Sequence, residues 1–174
     1  MDIYVDATTL TSLGNVGELE LLTNFDGRIV VLDAVRQEVT SPAASVEVER
    51  LLDQGSASRA AHKGAYIPSA ADILGDDELN GDIAVVTAIL RANEQSKSVA
   101  VVSDDRRVRT VAENLGATVT GTIGVVVRAV HEGMSPDEAK ELVRRLDSQG
   151  LHMTGELRET AYRLVDEAAK EHEE

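Results

Sequence analysis

The sequence predicts an α/β fold: a mostly parallel central sheet of four to five strands with helices on both faces. Three observations predict it. Short β-rich runs alternate with longer segments of helical spacing, the order in which parallel strands are joined by crossover helices. The run "SVAVVS" (Ser98 to Ser103) is apolar without alternation, as a strand is when both its faces are covered. From Ser135 onward the strands stop and two amphipathic segments follow, so a helical hairpin is expected to complete the chain.

The elements read in order as follows. "DIYV" (Asp2 to Val5) is a first strand and "RIVVL" (Arg28 to Leu32) a second, each followed by residues with helical spacing. "VGELELLTNF", "AVRQEVT" and "ASVEVERLLDQG" are helix-like. The stretch from Gly55 to Asp77 reads as a loop with one possible short strand. "DIAVVTAILRANEQ" is an almost wholly apolar helix at its start, and "SVAVVS" a buried strand. In "DRRVRTVAENLG", Val108, Val111, Ala112 and Leu115 fall on one face, and Gly116 stands where a left-handed residue ends a helix. "ATVTG" (Ala117 to Gly121) is a weaker strand, and "IGVVVRAVHEG" follows it. "SPDEAKELVRRLDSQG" places Ser135 as N-cap, Pro136 at N1, acids in the first turn and bases before Gly150. "TGELRETAYRLVDEAAKEHEE" is the last helix, and the hairpin can pack on its own domain or on a second subunit.

At 174 residues the chain suits one domain with a real core, here residues 1–174 with 135–172 as a helical extension. Against 31 Asp+Glu stand 17 Lys+Arg, a formal charge of -14, which ordinarily repels a polyanion. The acids are scattered through helices, Arg outnumbers Lys, and there is one Phe and no Trp. That texture fits a halophilic protein, because screening shortens to about 3 Å at 1 M salt and net charge then says little about partners. An ordinary acidic cytosolic protein is the alternative. Absence of Cys excludes disulfides and thiolate metal sites. No leader-like start and no long apolar run are present, so a cytoplasmic protein without membrane contact is expected.

In open α/β sheets ligands bind beyond the carboxyl ends of the strands, and acids stand there. Asp6 ends the first run, Glu38 lies in the helix after the second, Asp104 and Asp105 follow the third, and Asp82 opens the apolar helix. Carboxylates drawn within about 4 to 6 Å cannot all ionise cheaply without a cation. All-oxygen ligation selects Mg²⁺ or Mn²⁺, whose chemistry serves phosphodiester hydrolysis. Arg106, Arg107 and Arg109 are candidates for holding phosphate, with Arg106 and Arg109 on one helix face and Arg107 on another. Each acid also has a structural reading: Asp6, Asp82 and Asp104 as helix caps, Glu38 as a solvent-facing residue. Thr120 and Thr122 order a metal-bound water or cap the helix after them; the cap is favoured. The four histidines, His62, His131, His152 and His172, lack ligand spacing and receive no role.

"IYVDATTL", "VLDAVRQEV", "NGDIAVVTAIL", "VVSDDRRVRTVAENLG" and "TVTGTIGVVVRAVHEG", in that order, resemble the PIN domains, the nuclease fold of VapC-type toxins. Within them the chain resembles a subgroup with a Gly-acid pair opening the middle helix and a Gly-Thr-x-Gly turn after the last strand. The resemblance implies a three-layer α/β/α sandwich. It implies Asp6, Glu38, Asp82 and Asp104 as catalytic metal-binding acids, Asp105 as an assisting ligand, and Thr8 as the hydroxyl residue accompanying the first acid. It also implies cleavage of RNA with Mg²⁺ or Mn²⁺ and an antitoxin-like protein partner. A homodimer is expected for the fold. Ala7 stands where many members have Ser or Thr, and Asp82 where this subgroup commonly has Glu, an arm shorter by roughly 1.5 Å. Those departures motivate a second reading, a binding module without turnover in an RNA-processing or toxin-antitoxin assembly. A receiver-like or phosphatase-like protein ranks lowest, since the first strand carries no DxD.

Overall fold

The computed structural model describes residues 1–61 and 64–173, with side chains as far as Glu171, so His62 lies outside the described residues. Five strands form one parallel sheet: β1 (Asp2–Val5), β2 (Arg28–Leu32), β3 (Ala57–Ala60), β4 (Val99–Val102) and β5 (Thr118–Thr120), in the order β3-β2-β1-β4-β5. Tyr4 pairs with Val30 on one side and Val101 on the other, and Val5 with Val102. β3, the possible short strand of the Gly55 to Asp77 stretch, is an edge strand beside β2. Ile29 to Leu32 are buried in succession, as are Val101 and Val102. Both faces of the inner strands are therefore covered, which is why their sequences do not alternate.

One face carries α1 (Ala7–Asn15), α3 (Pro42–Asp53) and α7 (Thr122–His131); the other carries α4 (Ile67–Leu74), α5 (Gly81–Glu94) and α6 (Arg106–Asn114). The short α2 (Asp33–Glu38) touches both α1 and α5. Every residue of α5 from Ile83 to Ile89 is buried, matching its apolar character all round. The core joins Ile3 and Val31 of the sheet to Leu10, Leu13, Ile89 and Val125 of the helices. Leu10 is fully buried. Leu10→Ala is expected to cost about 2–5 kcal/mol, seen in urea melts as a lower midpoint with an unchanged slope.

Two segments differ from the sequence reading. Leu19–Asn24 is a 3-10 helix, in which residues three apart eclipse one another, so Leu19 and Leu22 both reach the core. Ile67–Leu74, read as loop, is helix α4, held on α5 through Ala70 and Leu74. The C-terminal hairpin, α8 (Pro136–Leu146) and α9 (Gly155–Glu173), packs on α7 of its own chain through Leu142, Val143, Leu146, Ala161 and Val165. Ser135 and Glu138 form a reciprocal cap at the start of α8, and Gly116 and Gly150 both have positive φ at helix ends. Among the described residues no helix is long and apolar enough to cross a membrane.

Candidate functional site

The connections leave β1 and β4, adjacent in the sheet, toward opposite faces: α1 follows β1 on one side and α6 follows β4 on the other. Such a switch point opens a crevice beyond the strand ends. Asp6 follows β1 there, and Ser103 and Asp104 follow β4. The backbone ladder extends into the crevice, with Asp6 N–H donating to Val102 O at 3.0 Å and Ser103 N–H to Thr120 O at 2.9 Å.

Asp6 is 4% exposed. Its Oδ1 accepts from Thr9 N at 2.7 Å, capping α1, and its Oδ2 accepts from the Ser103 hydroxyl at 2.5 Å. The fully buried Ser103 in turn accepts from Asp105 N–H at 3.1 Å. Burial pushes the Asp6 carboxyl above the usual carboxylate range; the hydrogen bonds from Ser103 and Thr9 oppose that shift, and the charge of Asp104 adds to it. Sequence reasoning missed Ser103 as a partner. Its signal was a polar residue closing an otherwise apolar buried run.

Asp104 is half-buried. Its Oδ1 accepts from Thr122 N at 2.8 Å, and its Oδ2 accepts from the Thr122 hydroxyl. The N-cap of α7 is Gly121, which has no side chain to cap with, so Asp104 supplies the acceptor from another strand end. A Cβ on Gly121 would lie 2.5 Å from Asp104 Oδ1, which is the reason for glycine in the Gly-Thr-x-Gly turn. Thr122 is fully buried and fixes both oxygens of Asp104. Asp105 is exposed and caps α6 through Val108 N at 3.0 Å.

The other two acids meet at the start of α5. Glu38, exposed at the end of α2, accepts from Gly81 N at 2.7 Å, and a Cβ on Gly81 would lie 2.7 Å from its second oxygen. The Gly-acid pair thus admits Glu38 to the helix N-terminus, while Asn80 supplies the N-cap through Ile83 N. Asp82 accepts from Arg107 at 2.9 Å. Arg107 also grips Asp76 at 2.9 and 3.1 Å and the Leu74 carbonyl at 3.2 Å. Arg107, expected at a phosphate, is placed instead among carboxylates, where the Arg107 guanidinium and Asn80 hold Asp76 below the usual range. Arg106 and Arg109 line a groove of about 580 Å³ with Asp104, Ile123, Leu157 and Leu164, and Arg109 donates to Ser103 O at 3.1 Å. Thr8 is exposed and shares a second groove, about 430 Å³, with Glu38 and Thr11.

The acids therefore stand as two couples: Asp6 is bonded to Ser103, the chain neighbour of Asp104, and Glu38 is bonded to Gly81, the chain neighbour of Asp82 on the first turn of α5. Among the described residues no three His, Asp or Glu side chains are grouped to hold a metal ion. The donor chemistry of the first couple nonetheless suits a hard dication. Mg²⁺ is commonly held by one or two carboxylates while keeping several waters, and Asp6, buried beside Asp104, carries the uncompensated charge such an ion relieves. Asp82 already has a cation in Arg107.

No curated protein and no solved structure matches the chain. A family model describing a PIN domain matches residues 2–167, a span that holds all five strands, Ser103 and both couples of acids. With that match across the sheet and its acid-lined rim, the chain belongs to the PIN-domain family, a nuclease-type fold.

Proposed function

We propose that the protein is a Mg²⁺- or Mn²⁺-dependent endoribonuclease that hydrolyses phosphodiester bonds of single-stranded or structured RNA. The observation that supports this reading best is the juxtaposition of Asp6 and Asp104 at the switch point, one buried with its carboxyl pushed up, the other fixed by Thr122. In this reading Asp6 and Asp104 would hold the ion, and Glu38 and Asp82 would support it from the α5 side. Thr122 orients Asp104, Thr8 borders the rim near Glu38, and Asp105 serves the loop as the cap of α6. Arg106 and Arg109 meet the substrate phosphates along their groove, and Arg107 offsets the charge of Asp76 and Asp82. A bound divalent ion supplies an acidified water and polarises a phosphoryl oxygen. Ser103 and Thr9 aim the Asp6 carboxylate and favour its ionised form, opposing the effect of burial.

A toxin role with an antitoxin-like partner, a homodimer and a cytoplasmic setting complete the proposal. A second reading, a PIN-like binding module with weak or no turnover, is favoured by one feature: Asp82 is already paired with Arg107.

The test is an assay on single-stranded RNA with Mn²⁺ at low and at molar salt. Cleavage is expected with Mn²⁺, abolished by excess chelator and restored when Mn²⁺ is added back. A chain that binds RNA but neither binds Mn²⁺ nor cleaves would reject the nuclease and leave the binding module.

A further inference from the structure

A further concavity opens toward the other end of the sheet. It has a volume of about 790 Å³ and is lined, among the described residues, by β1 and β2 as far as Tyr4 and Val30, the start of β4, Ala60 at the end of β3 and the last turns of α5. Asp2 and Asp6 bracket β1, so at about 3.3 Å per residue the two ends of the sheet are roughly 13 Å apart. None of Asp6, Glu38, Asp82, Ser103 and Asp104 lines the cavity, so it shares no residue with the acid-lined rim.

Its chemistry is the reverse of the rest of the molecule. Three cations line it, Arg28, Arg91 and Lys97, against a single acid, Asp2, in a chain whose formal charge is -14. Arg28 is consumed by Asp2 through two hydrogen bonds of 2.9 Å. Arg91 and Lys97 make no ion pair with any described residue. Most of the described Arg side chains do find carboxylates, so two unpaired cations sharing one concavity call for an anion of another source. The remaining lining is mixed: Val30, Ala60, Ala88 and Ala92 give an apolar wall around the ring of Tyr4, and Gln95 and Ser98 add polar groups. Burial and Asp2 push the Tyr4 hydroxyl up, with Arg91 and Arg28 pulling the other way; it therefore stays protonated at neutral pH and can donate.

We infer that this cavity is a binding site for a nucleoside phosphate, its base on the apolar wall beside Tyr4 and its phosphate between Arg91 and Lys97. The size falls within the usual range for small-molecule sites, which combine an apolar lining with a few placed polar groups. A planar guanidinium suits phosphate oxygens and a Lys ammonium adds a point charge. An inorganic anion would leave the apolar wall and Tyr4 without a role. The inference does not rest on the nuclease reading, since no residue of the acid-lined rim takes part.

The experiment is titration of the full chain with adenosine monophosphate, in chelator and at low salt, followed by calorimetry and by the emission of its three tyrosines, which no Trp masks. Saturable binding is expected. Arg91→Gln and Lys97→Gln should each weaken it about tenfold, the scale of one charge-assisted hydrogen bond, with unchanged thermal unfolding. Asp6→Asn should leave it intact, and inorganic phosphate should bind at least about tenfold more weakly, lacking the base and its apolar contacts. No saturable binding, equal affinity for inorganic phosphate, or binding lost in Asp6→Asn but kept in Arg91→Gln and Lys97→Gln would each overturn the proposal.

Discussion

Asp6→Asn is expected to lower RNA cleavage by more than about a hundredfold, beyond what losing an outer partner of a metal ligand costs, while the chain stays folded. The fold survives because an Asn carbonyl can still accept from Thr9 N–H, and Asn caps helices about as well as Asp. What is lost is the negative charge in the crevice. The same variant carries a pH signature. Burial raises the Asp6 pKa in the folded chain, so as pH rises past about 3.9 the unfolded chain releases this proton before the folded one does. Across that window the folded state binds more protons, and stability from this group falls with rising pH until the raised folded value is passed. Removing the carboxyl removes that loss. In chelator, the stability of Asp6→Asn relative to wild type should therefore rise from pH 4 to neutral pH. Added Mn²⁺ should stabilise wild type, by binding the native state alone, and leave the variant unmoved. Urea melts with and without Mn²⁺ read all of this, and undiminished cleavage by the variant would remove Asp6 from the site.

Much of this arrangement is legible in the residues because it depends on local signals. Strand positions follow from apolar runs bounded by polar residues, and Gly116 and Ser135 mark helix ends through backbone geometry alone. The acids fall beyond strand ends because side chains in covered strands must be apolar. What escaped depends on pairing between distant segments. Ser103 meets Asp6 across 97 positions, and Arg107 meets Asp82 across 25; neither distance leaves a periodic trace. The i, i+3 relation did place Arg106 and Arg109 along one groove, but nothing local says that Arg107 turns to Asp76. Helix α4 escaped for another reason. It is short, carries Pro68 in its first turn, and packs Ala70 and Leu74 with Ile83 and Val86 of α5, contacts between segments that no local signal announces.

Ser103→Ala separates a positioning role from a merely structural one. The hydroxyl donates to Asp6 Oδ2 and accepts from Asp105 N–H, so its loss leaves a buried carboxylate oxygen and a backbone donor short of partners. A destabilisation of about 1–3 kcal/mol is expected on that ground, and a core polar residue of any purpose would give as much. The pH profile distinguishes the two. The Ser103 hydrogen bond favours the ionised form of Asp6 and opposes the desolvation that raises its pKa; without it the carboxyl rises further. Cleavage that requires an ionised Asp6 should then lose its acid limb at a higher pH than in wild type, and fall about 10–100-fold at neutral pH, the usual effect of removing a partner of a metal ligand. Ser103→Thr keeps the hydroxyl and should return the limb toward its wild-type position even where the added methyl lowers stability. An acid limb that stays fixed in Ser103→Ala, with only the melting point moved, would make Ser103 a packing residue and would uncouple the Asp6 carboxylate from catalysis.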